Sequence, residues 1–60
     1  MKTVAGTPLS VLITDDDRDS RETLREIVEP EGFRTLLASC GEEAVEIVRE
    51  APVHLALMDF

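Results

Sequence analysis

One cysteine, one histidine, two phenylalanines and neither tryptophan nor tyrosine occur among the 60 residues of this chain. With Cys40 alone, no internal disulfide can form, and no Cys/His spacing describes a zinc site. An unpaired thiol fits a reducing compartment. Basic residues are also few: Lys2, Arg18, Arg21, Arg25, Arg34 and Arg49 are dispersed against 13 acids, for a formal charge of −7. That balance excludes the basic patch that direct nucleic-acid contact or docking on an anionic membrane requires. No stretch approaches the roughly 20 apolar residues of a membrane span. The apolar run behind Lys2 is too short for a signal peptide and leads straight into acids, so the chain reads as cytoplasmic. There is no low-complexity tract and no internal repeat.

What the sequence does hold is an apolar run, Leu9–Thr14, that ends abruptly in Asp15, Asp16 and Asp17, and a second one, Leu55–Met58, that ends in Asp59. Adjacent carboxylates repel one another, and a buried strand is a costly place to gather them. A cation or a cationic partner is expected there. Val11, Leu12 and Ile13 stand in a row without alternation, which suits a strand covered on both faces, as in a parallel sheet. Residues 1–8 mix small and polar types with Gly6 and Pro8 and read as a flexible leader, so the folded domain is expected over residues 9–60.

After the acids a helix is expected to begin at Asp16 or Asp17, since an Asp there caps free N–H groups and suits the positive end of the helix dipole. Leu24, Ile27 and Val28 supply the spacing of one buried face. Pro30 removes a helical N–H, Gly32 takes the left-handed conformation that stops the helix, and Phe33 folds back on the last turn. Arg34–Ala38 reads as a second strand. Ser39 then reads as the cap of a second helix, with Glu42 completing a capping box. Ala44, Val45 and Val48, flanked by Ile47, form its apolar face, and the helix ends near Ala51 because Pro52 disfavours helix before it. Val53–Phe60 holds the third strand.

The order is βαβαβ with short loops, and crossovers between parallel strands are right-handed in nearly all cases. Strand order 2-1-3 places one helix on each face and sets the carboxyl ends of strands 1 and 3 side by side, at the switch point where ligands bind in doubly wound sheets. Asp15, Asp16 and Asp59 meet there. Strand 3 is then an open apolar edge, and such edges pair. A domain this small buries only about 60% of its unfolded surface and is marginal as a lone monomer, so a homo-oligomer completed through strand 3 is expected.

VLITDDD (Val11–Asp17), EGF (Glu31–Phe33), SCGEEAVE (Ser39–Glu46) and LALMDF (Leu55–Phe60) together resemble the receiver domain of bacterial two-component response regulators. The resemblance implies an α/β, flavodoxin-like parallel sheet, of which this chain is the N-terminal half. It implies Mg2+ or Mn2+ held by Asp15, Asp16 and Asp59, with Asp16 the direct ligand and Asp15 acting through water. It further implies that Asp59 accepts a phosphoryl group from a histidine kinase or phosphotransfer protein, while Asp17 only caps the helix. Family members carry a phosphoryl-sensing Ser/Thr and a charge-neutralising Lys in a second half, and these 60 residues hold no matching positions. The implied role is that of a phosphorylated signalling module and not of an enzyme.

Other readings fit less well. Asp15, Asp17, Asp19 and Glu26 fall on positions 1, 3, 5 and 12 of a calcium loop, but Ser20 stands where that loop needs glycine and a strand precedes it. His54 lies at the opposite end of its strand from the acids and reads as a solvated loop residue. Cys40 lacks a basic neighbour or second thiol and reads as a packing residue. Two alternatives to the phosphoacceptor stay open: a non-catalytic half-domain that self-associates through strand 3, and part of a Mg2+-dependent phosphotransferase with an Asp nucleophile.

Overall fold

The computed structural model describes residues 8–59 of the chain. All of the expected leader but Pro8, and Phe60, lie outside the described residues. The elements run β1 (Ser10–Asp15), α1 (Arg18–Val28), a 3-10 turn (Glu29–Glu31), β2 (Arg34–Ala38), α2 (Gly41–Glu50) and β3 (Leu55–Asp59). The three strands form one sheet in the order β2-β1-β3, every pair parallel. This is the expected arrangement, the N-terminal part of a flavodoxin-like α/β fold.

Central β1 is buried along its whole length, which accounts for its unbroken apolar run. Its residues pair with β2 from Ser10↔Arg34 to Thr14↔Ala38, and with β3 from Val11↔Leu55 to Asp15↔Asp59. Leu12, Ala38 and Ala44 form the core on one side of the sheet, with Leu36, Ile47 and Val53 packed around them. Full burial of a side chain the size of Leu12 or Ile13 contributes about 1.5–3 kcal/mol. The foot of the sheet is closed by two backbone bonds, Arg34 N–H to Leu9 O at 2.8 Å and His54 N–H to Ser10 O at 2.9 Å.

The helix signals behave as local chemistry dictates. Asp17 caps α1, accepting from Asp19 N–H and from the Ser20 hydroxyl. Pro30 sits in the 3-10 turn that follows α1, and Gly32, at φ 96°, ends it in the left-handed region. On the outer face of α1, Glu22 and Arg25 pair at 2.6 Å. The pair is half-exposed, so it adds little to stability.

Several expectations need correction. α2 is capped by Cys40 and not by Ser39, because the first helical bond runs from Ala44 N–H to Cys40 O. The reciprocal contact consequently shifts by one residue: Glu43, not Glu42, reaches back to the Ser39 N–H at 2.6 Å and accepts from the Ser39 hydroxyl. Cys40 is exposed in this bend and not packed. Ile27, Val45 and Val48 are 61%, 50% and 55% exposed, although their spacing assigned them to the core. α2 packs over β2 and β1 rather than β3, so the part of its apolar stripe that faces β3 is left uncovered. Val45 and Val48, together with Ala56 and Met58, line an open apolar groove beside β3.

Candidate acidic site at the carboxyl ends of the strands

The carboxyl ends of β1 and β3 are adjacent, and Asp15 and Asp59 are register partners on their last shared rung. Neighbouring strands stand about 4.8 Å apart, so two carboxyl-bearing residues share one end of the sheet at that spacing. Asp16 follows at once in the bend between β1 and α1. All three residues singled out from the sequence therefore lie at the switch point. Their environments differ sharply. Asp15 is buried, at 3% exposure, while Asp16 and Asp59 are open to solvent.

The turn carrying Asp16 is held from both sides. Asp15 Oδ1 accepts the Asp17 N–H at 2.9 Å, closing an Asx turn around Asp16. The Asp15 carbonyl accepts from Arg21 Nη1 at 2.6 Å. Long helical side chains lean toward the helix N-terminus, and this lets Arg21, one turn into α1, reach back over the cap. Asp17 is fully engaged in capping. The Ser20 hydroxyl first, and the Asp19 N–H after it, hold its carboxyl below the ordinary value. Asp17 nonetheless lines a shallow cleft with Asp15, Asp19, Ser20, Thr23 and Leu24. Beside it a second, smaller cleft runs past Thr14, Leu24, Leu57, Met58 and Asp59.

Two participants escaped the sequence reading. Arg21 looked like an ordinary helix-surface arginine, and nothing in its spacing to Asp15 marks it. His54, assigned to solvent, is exposed but bonded: its Nδ1 accepts the Ser10 N–H at 2.9 Å. It braces the foot of the sheet, at the far end from the acids.

The side chains there offer carboxylate oxygens, hard ligands that suit Mg2+ or Mn2+ rather than zinc. Among the described residues no three His, Cys, Asp or Glu side chains converge into a closed metal cage. Chemically, the site is a strand-end carboxylate, Asp59, beside a partly preformed acidic turn.

A doubly wound half-sheet with carboxylates at its switch point defines the class, and comparison with known proteins narrows it. The response regulator receiver domain model matches residues 11–60, and the chain belongs to that family. The transcriptional regulatory protein CpxR of Escherichia coli (strain K12) is 37% identical over 49 residues, covering 82% of this chain and 21% of CpxR. The response regulator RR06 of Streptococcus pneumoniae is 29% identical over 51 residues, covering 85% of this chain and 24% of RR06. The transcriptional regulatory protein YvrH of Bacillus subtilis is 35% identical over 51 residues, covering 83% and 22%. The chain thus spans about a fifth to a quarter of the length of these relatives. No solved structure matches it.

Proposed function

We propose that this chain is the phosphoacceptor part of a two-component response regulator, taking a phosphoryl group on Asp59 from a histidine kinase or phosphotransfer protein. The observation that carries the reading is the register pairing of Asp59 with Asp15 at the switch point of a receiver-family sheet. In this reading Asp16 and Asp59 hold a divalent cation with Asp15 behind them, and when bound the cation offsets the charge repulsion between carboxylate and phosphoryl group. One Asp59 carboxylate oxygen attacks phosphorus, the bond from phosphorus to the donor breaks, and the donor leaves with its electron pair. The product is an acyl phosphate. In this reading the chain is itself the acceptor that is modified in each transfer, and it acts as a switch rather than as an enzyme turning over a substrate. The carboxylate's one charge gives way to the roughly two of the acyl phosphate, so a gain of about one negative charge, with three acceptor oxygens, at an exposed strand end is the signal.

A cytoplasmic location accords with the single exposed thiol and with the absence, among the described residues, of any helix long and apolar enough to cross a membrane. The test is incubation of the full gene product with acetyl phosphate and Mg2+, read by mass spectrometry. One phosphoryl group on Asp59, lost in Asp59→Asn and with EDTA, is expected. A label elsewhere, or one that Asp59→Asn leaves intact, refutes the assignment.

A second reading, self-association, has its own observation. β3 is an edge strand of the described sheet, without lysine, proline or a bulge to protect it, and Leu55 and Met58 are 54% and 50% exposed. The proposed occupant of this edge is the β3 of a second copy. Sedimentation of the 60-residue chain is expected to give a dimer or larger species at high micromolar concentration. A folded monomer there disproves it.

A further inference from the structure

Arg21 and Arg25 sit one turn apart on α1 and behave differently. Arg25 bridges two carboxylates, Glu22 at 2.6 Å and Glu29 at 3.5 Å. Arg21 makes no carboxylate bridge among the described residues, and its guanidinium instead donates to a neutral acceptor, the Asp15 carbonyl, at 2.6 Å. A cation over the first turn of a helix lies at the wrong end of the helix dipole. The placement therefore calls for a reason beyond helix stability.

The hydrogen bonds supply one. The backbone N–H of Arg21 is fastened to the Asp17 carbonyl at 3.1 Å, and its side chain to the Asp15 carbonyl. The Asp17 N–H returns to the Asp15 carboxylate at 2.9 Å. Residues 15, 17 and 21 thus form a closed ring of bonds around Asp16. Asp16 is the one member of the acidic triplet whose carboxylate takes no hydrogen bond among the described residues, and it is exposed. Beyond the ring, Glu43 accepts from Ser39 at the end of β2; the Ser39 hydroxyl chiefly holds its carboxyl down, and the positive charge of Arg21 adds only weakly to that.

We propose that Arg21 is a positioning residue for the cation site: by fixing the Asp15 carbonyl it sets the turn that presents the Asp16 carboxylate to a divalent ion. The inference rests on the reading of Asp15, Asp16 and Asp59 as that site. Groups that orient metal ligands without touching the metal commonly change affinity by about 10- to 100-fold when removed.

The sign of the effect separates positioning from charge. Removing a guanidinium from an acidic pocket should, on Coulomb grounds alone, tighten binding of a dication. Loss of the clamp should weaken it. The experiment is titration of the full chain with Mn2+, read from the loss of the free-ion electron paramagnetic resonance signal. Wild type is compared with R21Q, R21M, R21K and D16N, each shown to be folded at the assay temperature by circular dichroism. R21Q and R21M are expected to bind Mn2+ about tenfold more weakly, and R21K, which keeps one donor on a long stem, recovers part of the loss. Unchanged or tighter binding by folded R21Q and R21M overturns the proposal and leaves the site reading standing. Failure of wild type to bind, or D16N binding like wild type, overturns the site reading itself and the role of Arg21 with it.

Discussion

Asp15 and Asp59 stand side by side on the last rung between β1 and β3, one buried and the other open to solvent. Like charges paired across strands are destabilising by roughly 0.2–1 kcal/mol. Without a cation, the site therefore works against the fold that builds it. Asp59→Asn is expected to raise stability in EDTA by up to about 1 kcal/mol. Urea melts check this, and the gain should shrink in millimolar Mg2+, where the ion stabilises only the wild-type pair. Equal gains with and without Mg2+ would show that the two carboxylates do not share a cation.

A second tension lies one rung back. Thr14 is 1% exposed, and its Oγ1 has no hydrogen-bond partner among the described residues. An unpaired buried hydroxyl costs about 1–3 kcal/mol, and an apolar group of the same shape removes that cost. Thr14→Val is expected to stabilise the chain by about 1 kcal/mol, a rise of roughly 4–8 °C in melting temperature for a domain of this size. A fall on substitution would mean that the hydroxyl is satisfied in solution.

Acid should loosen the helix starts first. Asp17 is held below its ordinary value of 3.8 chiefly by the Ser20 hydroxyl, and Glu43 below 4.5 chiefly by the Ser39 hydroxyl. For a carboxyl depressed in the folded state, the stabilisation is fully present above the unfolded value and is lost as pH falls through the folded one. Stability should therefore decline as pH drops below about 4.5 and through the region under 3.8. Ser20→Ala and Ser39→Ala remove the leading causes, so both variants should show a flatter decline in chemical-denaturation melts taken at a series of pH values. A decline as steep as wild type in both would show that neither hydroxyl sets its carboxyl.

These contrasts also mark what was legible in the sequence. The cap at Asp17, the stop at Gly32, the strand order and the placing of Asp15 and Asp59 on one rung all follow from neighbours in sequence or from the handedness of crossovers. Periodicity shows which side of a helix is apolar, but not which strands it comes to lie on. Val45 and Val48 consequently read as core and are half-exposed. The Ser39 cap failed by one residue because Ser39 and Cys40 are both possible starts, and only the bond from Ala44 to Cys40 decides between them. Arg21 and His54 were missed for another reason. One acts through a long side chain reaching backward onto a carbonyl, and the other bonds a backbone N–H 44 residues away. Neither contact leaves a local pattern.

His54 offers the sharpest check on that last point. The Ser10 N–H is buried and donates to His54 Nδ1, while the His54 N–H donates to Ser10 O, both at 2.9 Å. The two bonds sit just ahead of the first rung between β1 and β3, Val11↔Leu55. With Nδ1 as acceptor, the ring proton must sit on Nε2. His54→Phe keeps the ring's bulk and the backbone bond but strands the Ser10 N–H, at a cost of about 1–3 kcal/mol. A drop of several degrees in melting temperature is expected, accompanied by faster hydrogen exchange at Ser10 while mid-strand Leu12 tracks only the global loss. His54→Asn restores an acceptor on a shorter stem and should recover part of both. If His54→Phe melts like wild type with the Ser10 amide still protected, water serves that N–H as well as the imidazole does, and His54 is the solvated residue its sequence context suggests.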